Sequence, residues 1–218
     1  MSVDHVIGLD LGQAQDYTAL AVIERPEPVR GELPDYALRH LQRFPLGTPY
    51  TKIVPAVADL AKSEMLNHPT LVVDYTGVGR ALVDMLKKAQ MGCRIVPVTI
   101  TAGQAVTKNE DGSFHVPKKE LVTVMQLLLQ ARRLKVASSL AEADTLVEEL
   151  QNFRVKITAS ANEIFGTWRE GQHDDLVLAT AVAGWWAEKH RRYTFSAEDF
   201  RTPDPDPKWS LPPGVFLT

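Results

Sequence analysis

Acidic residues stand at three places where an apolar element would ordinarily carry Val, Ile or Leu. Asp10 closes the run Val6-Ile7-Gly8-Leu9-Asp10, Asp74 closes Leu71-Val72-Val73-Asp74, and Asp174 and Asp175 follow His173 at the opening of the last strongly apolar stretch. A carboxylate taken out of water needs a counter-charge, commonly a metal ion or a basic side chain. For Asp10 alone, a strand-end acid bonding the next turn explains the residue as well as a site does. The recurrence of the pattern is what turns the reading toward chemistry.

The elements around these acids follow from spacing. Val6–Gly12 and Thr18–Ile23 are two apolar runs joined by a polar turn, which predicts a β-hairpin. Tyr36–Phe44 alternates and predicts a third strand, so the chain opens with an antiparallel meander. Ile53, Val57, Leu60, Ala61 and Met65 recur at helical spacing, predicting a helix over 51–67. The strand 70–74 is expected to pair parallel to the first. A glycine turn, Gly77-Val78-Gly79, then opens a helix over 80–90, an arrangement that places ligands at the strand's C-terminal end.

Further along, 94–99 reads as a strand and 100–116 as a polar, mobile hairpin or loop. Pro117 opens a helix over 118–132. A short strand at 134–136, a helix over 139–152, a hairpin of 153–158 with 163–168, and a helix from 173 to about 190 complete the pattern. After Tyr193 the sequence is rich in proline, and 196–218 reads as a surface tail or disordered segment beside a single domain of 1–195.

At 218 residues the chain can bury a core within one domain. A net charge of −3 announces no nucleic-acid binder globally, so any such binding depends on a local groove. The single Cys93 excludes an internal disulfide framework and a cysteine-based zinc cluster. There is no apolar run near the roughly 20 residues of a membrane span and no signal-peptide pattern, so a cytoplasmic location is expected.

Three strands, a helix, a strand ending in Asp, further α/β units and a final helix bearing acids match the order of the ribonuclease H-like fold. That fold is α/β, a mixed β-sheet of antiparallel meander then parallel strands, flanked by helices. The residues resemble the nuclease domain of phage and prophage terminase large subunits. The resemblance rests on Gly8-Leu9-Asp10 with Asp16-Tyr17-Thr18-Ala19, on Val73-Asp74-Tyr75-Thr76-Gly77-Val78-Gly79-Arg80-Ala81-Leu82, and on Gly171-Gln172-His173-Asp174-Asp175-Leu176-Val177-Leu178-Ala179. It covers roughly residues 6 to 190.

The resemblance implies a metal-dependent endonuclease that cuts double-stranded viral DNA during genome packaging. Two-metal phosphodiester hydrolysis needs two divalent ions roughly 3.5–4 Å apart on oxygen ligands, and carboxylates suit Mg²⁺ or Mn²⁺. In that scheme Asp10 bridges both ions, Asp74 holds one, and Asp175 or Asp174 holds the other. Adjacent helical residues point about 100° apart, so the last two cannot be equivalent; Asp175 is the expected principal ligand. His173, Asp16, Thr76, Gly77 and Gly79 are supporting residues, with turn formation or capping as the competing explanation for each. Lys118, Lys119, Arg132, Arg133 and Lys135 form the best basic cluster and are candidate DNA contacts. Trp185 and Trp186 read as packing.

The sequence also departs from a complete large terminase. It has no Gly-x-x-x-x-Gly-Lys-Ser/Thr loop, so it is expected to act as a separated domain or beside a separate packaging ATPase, with a small terminase subunit or portal as further partners. Its first turn, Gly12-Gln13-Ala14-Gln15, is poorer in glycine than the family's. Other readings stay open. Gly8-Leu9-Asp10-Leu11-Gly12 followed by Thr18 is similar to the first phosphate loop of actin-like and sugar-kinase-like ATPases, although those use two such domains. A Holliday junction resolvase would use similar acids on a similar fold, and an inactive prophage remnant would only bind DNA.

Overall fold

The computed structural model describes residues 3–12, 16–27, 32–66, 68–77, 80–157, 163–167 and 173–190. Within them an eight-stranded sheet runs in the order β6-β7-β5-β4-β1-β2-β3-β8. β1 (Val3–Asp10), β2 (Ala19–Pro26) and β3 (Tyr36–Arg43) form the expected antiparallel meander. β4 (Thr70–Asp74) pairs parallel to β1, and β5 (Arg94–Thr101) parallel to β4.

The segment 100–116 is more regular than a loop. β6 (Thr107–Lys108) and β7 (Phe114–Pro117) form a hairpin, and β7 extends the sheet parallel to β5. β8 (Leu134–Val136) closes the other edge, parallel to β3. β9 (Phe153–Ile157) and β10 (Glu163–Thr167) make a separate antiparallel pair, matching the expected hairpin.

Helices cover both faces, because the central strands are apolar on both. Ile7, Leu9, Leu20, Val22, Leu71 and Val73 pack against α1 (Tyr50–Ala61) and α2 (Arg80–Lys88) through Ile53, Val57, Leu82 and Leu86. The alternate residues, Val6, Ala19, Ala21, Ile23 and Val72, face α3 (Lys118–Gln130), α4 (Ala143–Asn152) and α5 (Asp175–Lys189). A strand's side chains alternate, so Asp10 and Asp74 share parity with Val6 and Val72 and point to the α5 side. Trp185 and Trp186 are buried beside Phe114, as packing residues.

α5 can lie this close only because Gly8 has no side chain. A Cβ at Gly8 would stand 1.9 Å from the Ala179 carbonyl oxygen. Two residues of strand and four of helix both span about 6 Å. Contact of Gly8 with Ala179 therefore brings Asp175, one turn earlier on the helix, over Asp10, two residues later on the strand.

Helix ends differ from the periodic pattern where the chain must turn. α1 stops at Ala61 rather than near 67, leaving Met65 exposed while Leu66 returns to the core from a turn. α2 ends at Lys88, with Gln90 left-handed at φ 47°. α3 ends at Gln130. Arg132 takes φ 54°, its amide bonds the Leu129 carbonyl, and the Arg133 amide bonds that of Leu128. This is a Schellman close, usually made with glycine, and it turns the chain into β8. α4 begins at Ala143, after turns at 137–140 and 140–143 that replace the first expected helical residues.

Among the described residues no helix is long and apolar enough to cross a membrane. Gly79, most of the first turn and the proline-rich 196–218 lie outside the described residues.

Candidate active site

The parallel register of β1 and β4 sets Asp10 directly beside Asp74 at the C-terminal ends of adjacent central strands. Both are buried, at 8% and 6% exposure, and Asp175 at the start of α5 is buried at 5%. Burial holds the Asp10 carboxyl well above the usual range, and the charges of Asp74, Asp175 and Asp174 push it further; Lys118 opposes them. Such mutual repulsion requires the acids to share one neighbourhood.

Asp74 is also raised by burial, against hydrogen bonds that favour its charged form. The Thr76 hydroxyl donates to Asp74 Oδ1 at 2.5 Å and the Thr76 amide at 2.9 Å. The same hydroxyl accepts from the Ile100 amide at 2.8 Å, so Thr76 ties the carboxylate to β5. Gly77, at φ 81°, makes the turn that follows, where a side chain would be strained.

Asp175 is pushed up to about 6, chiefly by burial, with Asp174 and Asp16 adding to the rise and His173 and Arg43 opposing it. Its Oδ2 is buried without a hydrogen-bond partner. Two nitrogen groups approach it at more than hydrogen-bond distance: His173 Nδ1 at 3.7 Å and Arg43 Nη2 at 3.9 Å. Asp174, its neighbour, is differently occupied. It sits at the N-cap of α5 without capping through its side chain, and its Oδ2 accepts from Lys118 Nζ at 3.1 Å.

Across the first turn, the described hydrogen bond runs from the Gly12 amide to the Thr18 hydroxyl at 3.2 Å, while Asp16 is exposed.

The five basic residues do not form one cluster. Lys118 and Lys119 open α3, whereas Arg132, Arg133 and Lys135 lie beyond its far end, about 20 Å away for 13 residues of helix. Arg133 is buried and bonds the Pro34 carbonyl and Glu188. Lys135 pairs with Asp35 at 3.3 Å, and Lys119 bonds Gln104. The Schellman close turns the second group away from the first. Only Lys118 reaches the acids.

Arg43 and Glu149 belong to this neighbourhood and were not apparent as site residues from sequence. Glu149 is 5% exposed; one carboxylate oxygen bonds Arg43, and the other accepts the Val177 amide of α5 at 3.0 Å. Arg43 also lies over the Tyr17 ring at 4.5 Å, and Tyr17 meets His173 edge-on at 4.8 Å. Glu149 did carry a signal, since it falls on the Ala143–Leu146 stripe of α4, where an acid is as anomalous as Asp10 is in β1.

Chemically, this is a desolvated array of hard oxygen donors with one orphaned carboxylate oxygen and few cations. Among the described residues no three His, Cys, Asp or Glu side chains converge enough to hold an ion unaided. The donor type, the acid excess and the free Asp175 Oδ2 nevertheless fit a divalent cation better than a purely structural ion-pair network, in which that oxygen would be bonded.

Residues 7–184 match the family model described as the terminase RNase H-like domain. The chain is 28% identical over 200 residues to the terminase large subunits of Thermus phage G20c and Thermus virus P23-45, which covers 91% of this chain and 35% of each relative. It thus spans about a third of the length of those relatives. Among solved structures, the large terminase nuclease from thermophilic phage G20c with bound magnesium is 26% identical, with a TM-score of 0.60 over 84% of this chain and 81% of that one. The cobalt-bound form of the same nuclease gives 26% and a TM-score of 0.59 over the same shares.

Proposed function

The chain belongs to the terminase RNase H-like domain family, and from that premise we propose that it is a divalent-metal-dependent DNA endonuclease of the genome-packaging type. The observation that carries the proposal is the in-register pair Asp10 and Asp74 with the buried, unbonded oxygen of Asp175 brought over them by α5. The same chemistry is suggested by relatives, of which the G20c nuclease has been solved with magnesium and with cobalt.

In this reading Asp10, Asp74 and Asp175 are the principal ligands for two ions, Mg²⁺ or Mn²⁺. Bound there, the ions supply Lewis-acid polarisation of a scissile phosphate and a nucleophile at neutral pH. The chain's own residues do the rest. Thr76 fixes the rotamer of Asp74 through two bonds to Oδ1. Lys118 holds Asp174 aside and adds positive charge where a phosphate would approach. Asp174, held in that pair, would support the ions from outside their direct ligands. His173 borders Asp175 and is placed to orient it.

The substrate is double-stranded DNA, met through the backbone near Lys118 rather than through a basic face, given the dispersal of the other cations. Partners would be a packaging ATPase, a small terminase subunit or a portal.

The test is plasmid digestion with Mg²⁺ or Mn²⁺, comparing the parent with Asp10→Ala and Asp74→Ala. Cutting by the parent that both substitutions abolish, with circular dichroism unchanged, is expected. Undiminished cutting by both variants would refute the assignment.

A further inference from the structure

Helix α5 begins without a side-chain cap from its own N-cap residue. Asp174 occupies the N-cap but makes no side-chain cap bond, being turned to Lys118. The first amides of a helix have no intrahelical acceptor, and one left bare in a buried setting is unfavourable. The Val177 amide instead finds Glu149 Oε2 at 3.0 Å, from a different helix. The other oxygen of Glu149 bonds the Arg43 guanidinium, whose Nη2 stops 3.9 Å from the orphaned Asp175 Oδ2. Arg43 Nε, also buried, has no partner.

These contacts have one consistent interpretation. A cation as mobile in its bonding as arginine, next to an unpaired buried carboxylate, would ordinarily close the gap into a bidentate pair. Glu149 prevents it by holding the guanidinium. We propose that Glu149 and Arg43 are positioning residues for Asp175: Glu149 caps α5 in place of Asp174, freeing both acids of the motif, and tethers Arg43 short of the Asp175 carboxylate so that this carboxylate stays open to a divalent ion.

The second half of the proposal rests on the metal-dependent reading, and the first does not. The experiment therefore has two readouts on the full chain. In amide hydrogen exchange, Glu149→Ala exposes Val177 and speeds its exchange by about tenfold, while Glu149→Gln, which keeps a neutral acceptor, stays near the parent. In Mn²⁺ titrations followed by electron paramagnetic resonance, Glu149→Gln weakens binding by about 10- to 100-fold, because the released Arg43 pairs with Asp175.

The double variant Arg43→Met/Glu149→Gln recovers most of that loss, since the competing cation is gone. A merely structural salt bridge would give the double variant the weaker binding of the two. Exchange at Val177 unchanged in Glu149→Ala overturns the cap. Mn²⁺ affinity unchanged in Glu149→Gln, or not recovered in the double variant, overturns the tether. A parent that binds no Mn²⁺ refutes the metal-dependent reading and with it the tether, and the exchange comparison still decides the cap.

Discussion

The two ends of α5 solve the same problem in opposite ways. At the C-terminal end every described acid has its cation: Arg133 forks onto Glu188 at 2.9 and 3.3 Å, Arg25 bonds Asp4 at 2.5 Å, and Lys189 bonds Glu120 at 2.8 Å. Tyr36 adds a hydroxyl to Glu188 at 2.8 Å, and Arg25 also donates to the final carbonyl of His190 at 2.7 Å. Cations there complement the helix dipole. At the N-terminal end, the described cations near Asp10, Asp74, Asp174, Asp175 and Glu149 are Lys118 and Arg43, with the His173 ring beside them. Asp10, Asp74, Asp175 and Glu149 are more deeply buried than Asp4, Glu120 and Glu188, yet among the described residues they have fewer cations. The balanced end anchors the helix, and the unbalanced end is arranged for something that brings positive charge.

Substitution at the two ends should therefore separate activity from stability. The largest effect is expected for Asp10→Ala, which should lower Mg²⁺-dependent plasmid cutting at least about 1000-fold. Its melting temperature in EDTA should not fall, because the substitution removes a repelled charge. At the other end, Arg133→Met removes the buried guanidinium that forks onto the half-buried Glu188 and should destabilise the chain by about 2–3 kcal/mol. Urea unfolding would measure that loss, while cutting per folded molecule stays near the parent's. Equal loss of stability at both ends would erase the contrast.

Gly8 links the ends, since it sets how closely α5 approaches β1. A side chain there must displace the Ala179 backbone, which cannot yield as a flexible side chain would. Gly8→Ala should cost about 1–3 kcal/mol in urea unfolding. It should also reduce cutting among the molecules that remain folded, because lifting α5 moves Asp175 from Asp10 while Glu188 keeps Arg133. Activity preserved at full stability would show that the helix does not set the acid spacing.

The sequence carried the fold and the acids further than it carried their surroundings. β1, β4 and the start of α5 were legible because an acid at the end of an apolar run violates the pattern around it. The meander and the parallel β1–β4 pairing followed from the order of strands and helix. The basic cluster was not legible, because its two groups stand at opposite ends of α3, where 13 residues of helix set them about 20 Å apart. Past that end Arg132 adopts a left-handed backbone that glycine usually supplies. Arg43 escaped notice because it ends an alternating strand where an arginine is unremarkable. Its role depends on Glu149, 106 residues away in sequence. The hairpin of β6 and β7 was one of the two readings of its polar stretch, whereas the parallel pairing of β7 to β5 was not, since no local pattern reveals it.

The smallest expected effect tests the unbalanced end most directly. Burial raises the Asp175 carboxyl to about 6 from an ordinary 3.8, so folding disfavours its ionised form. Below the ordinary value both folded and unfolded chains hold the proton, and nothing is lost. As pH rises through the window from about 4 to 6 the unfolded chain releases its proton first, so stability falls, and above it the loss is constant. In EDTA, Asp175→Asn should therefore melt about 2–6 °C above the parent at pH 8, with the gap closing by pH 4. Saturating Mg²⁺ should reverse the order at pH 8, because ligand binding stabilises only the chain that binds it, by about 2.7 kcal/mol at 100 times the dissociation constant. If the parent melts higher than Asp175→Asn in EDTA at pH 8, this acid is already balanced by its neighbours. The N-terminal end of α5 would then be an anchor like the other.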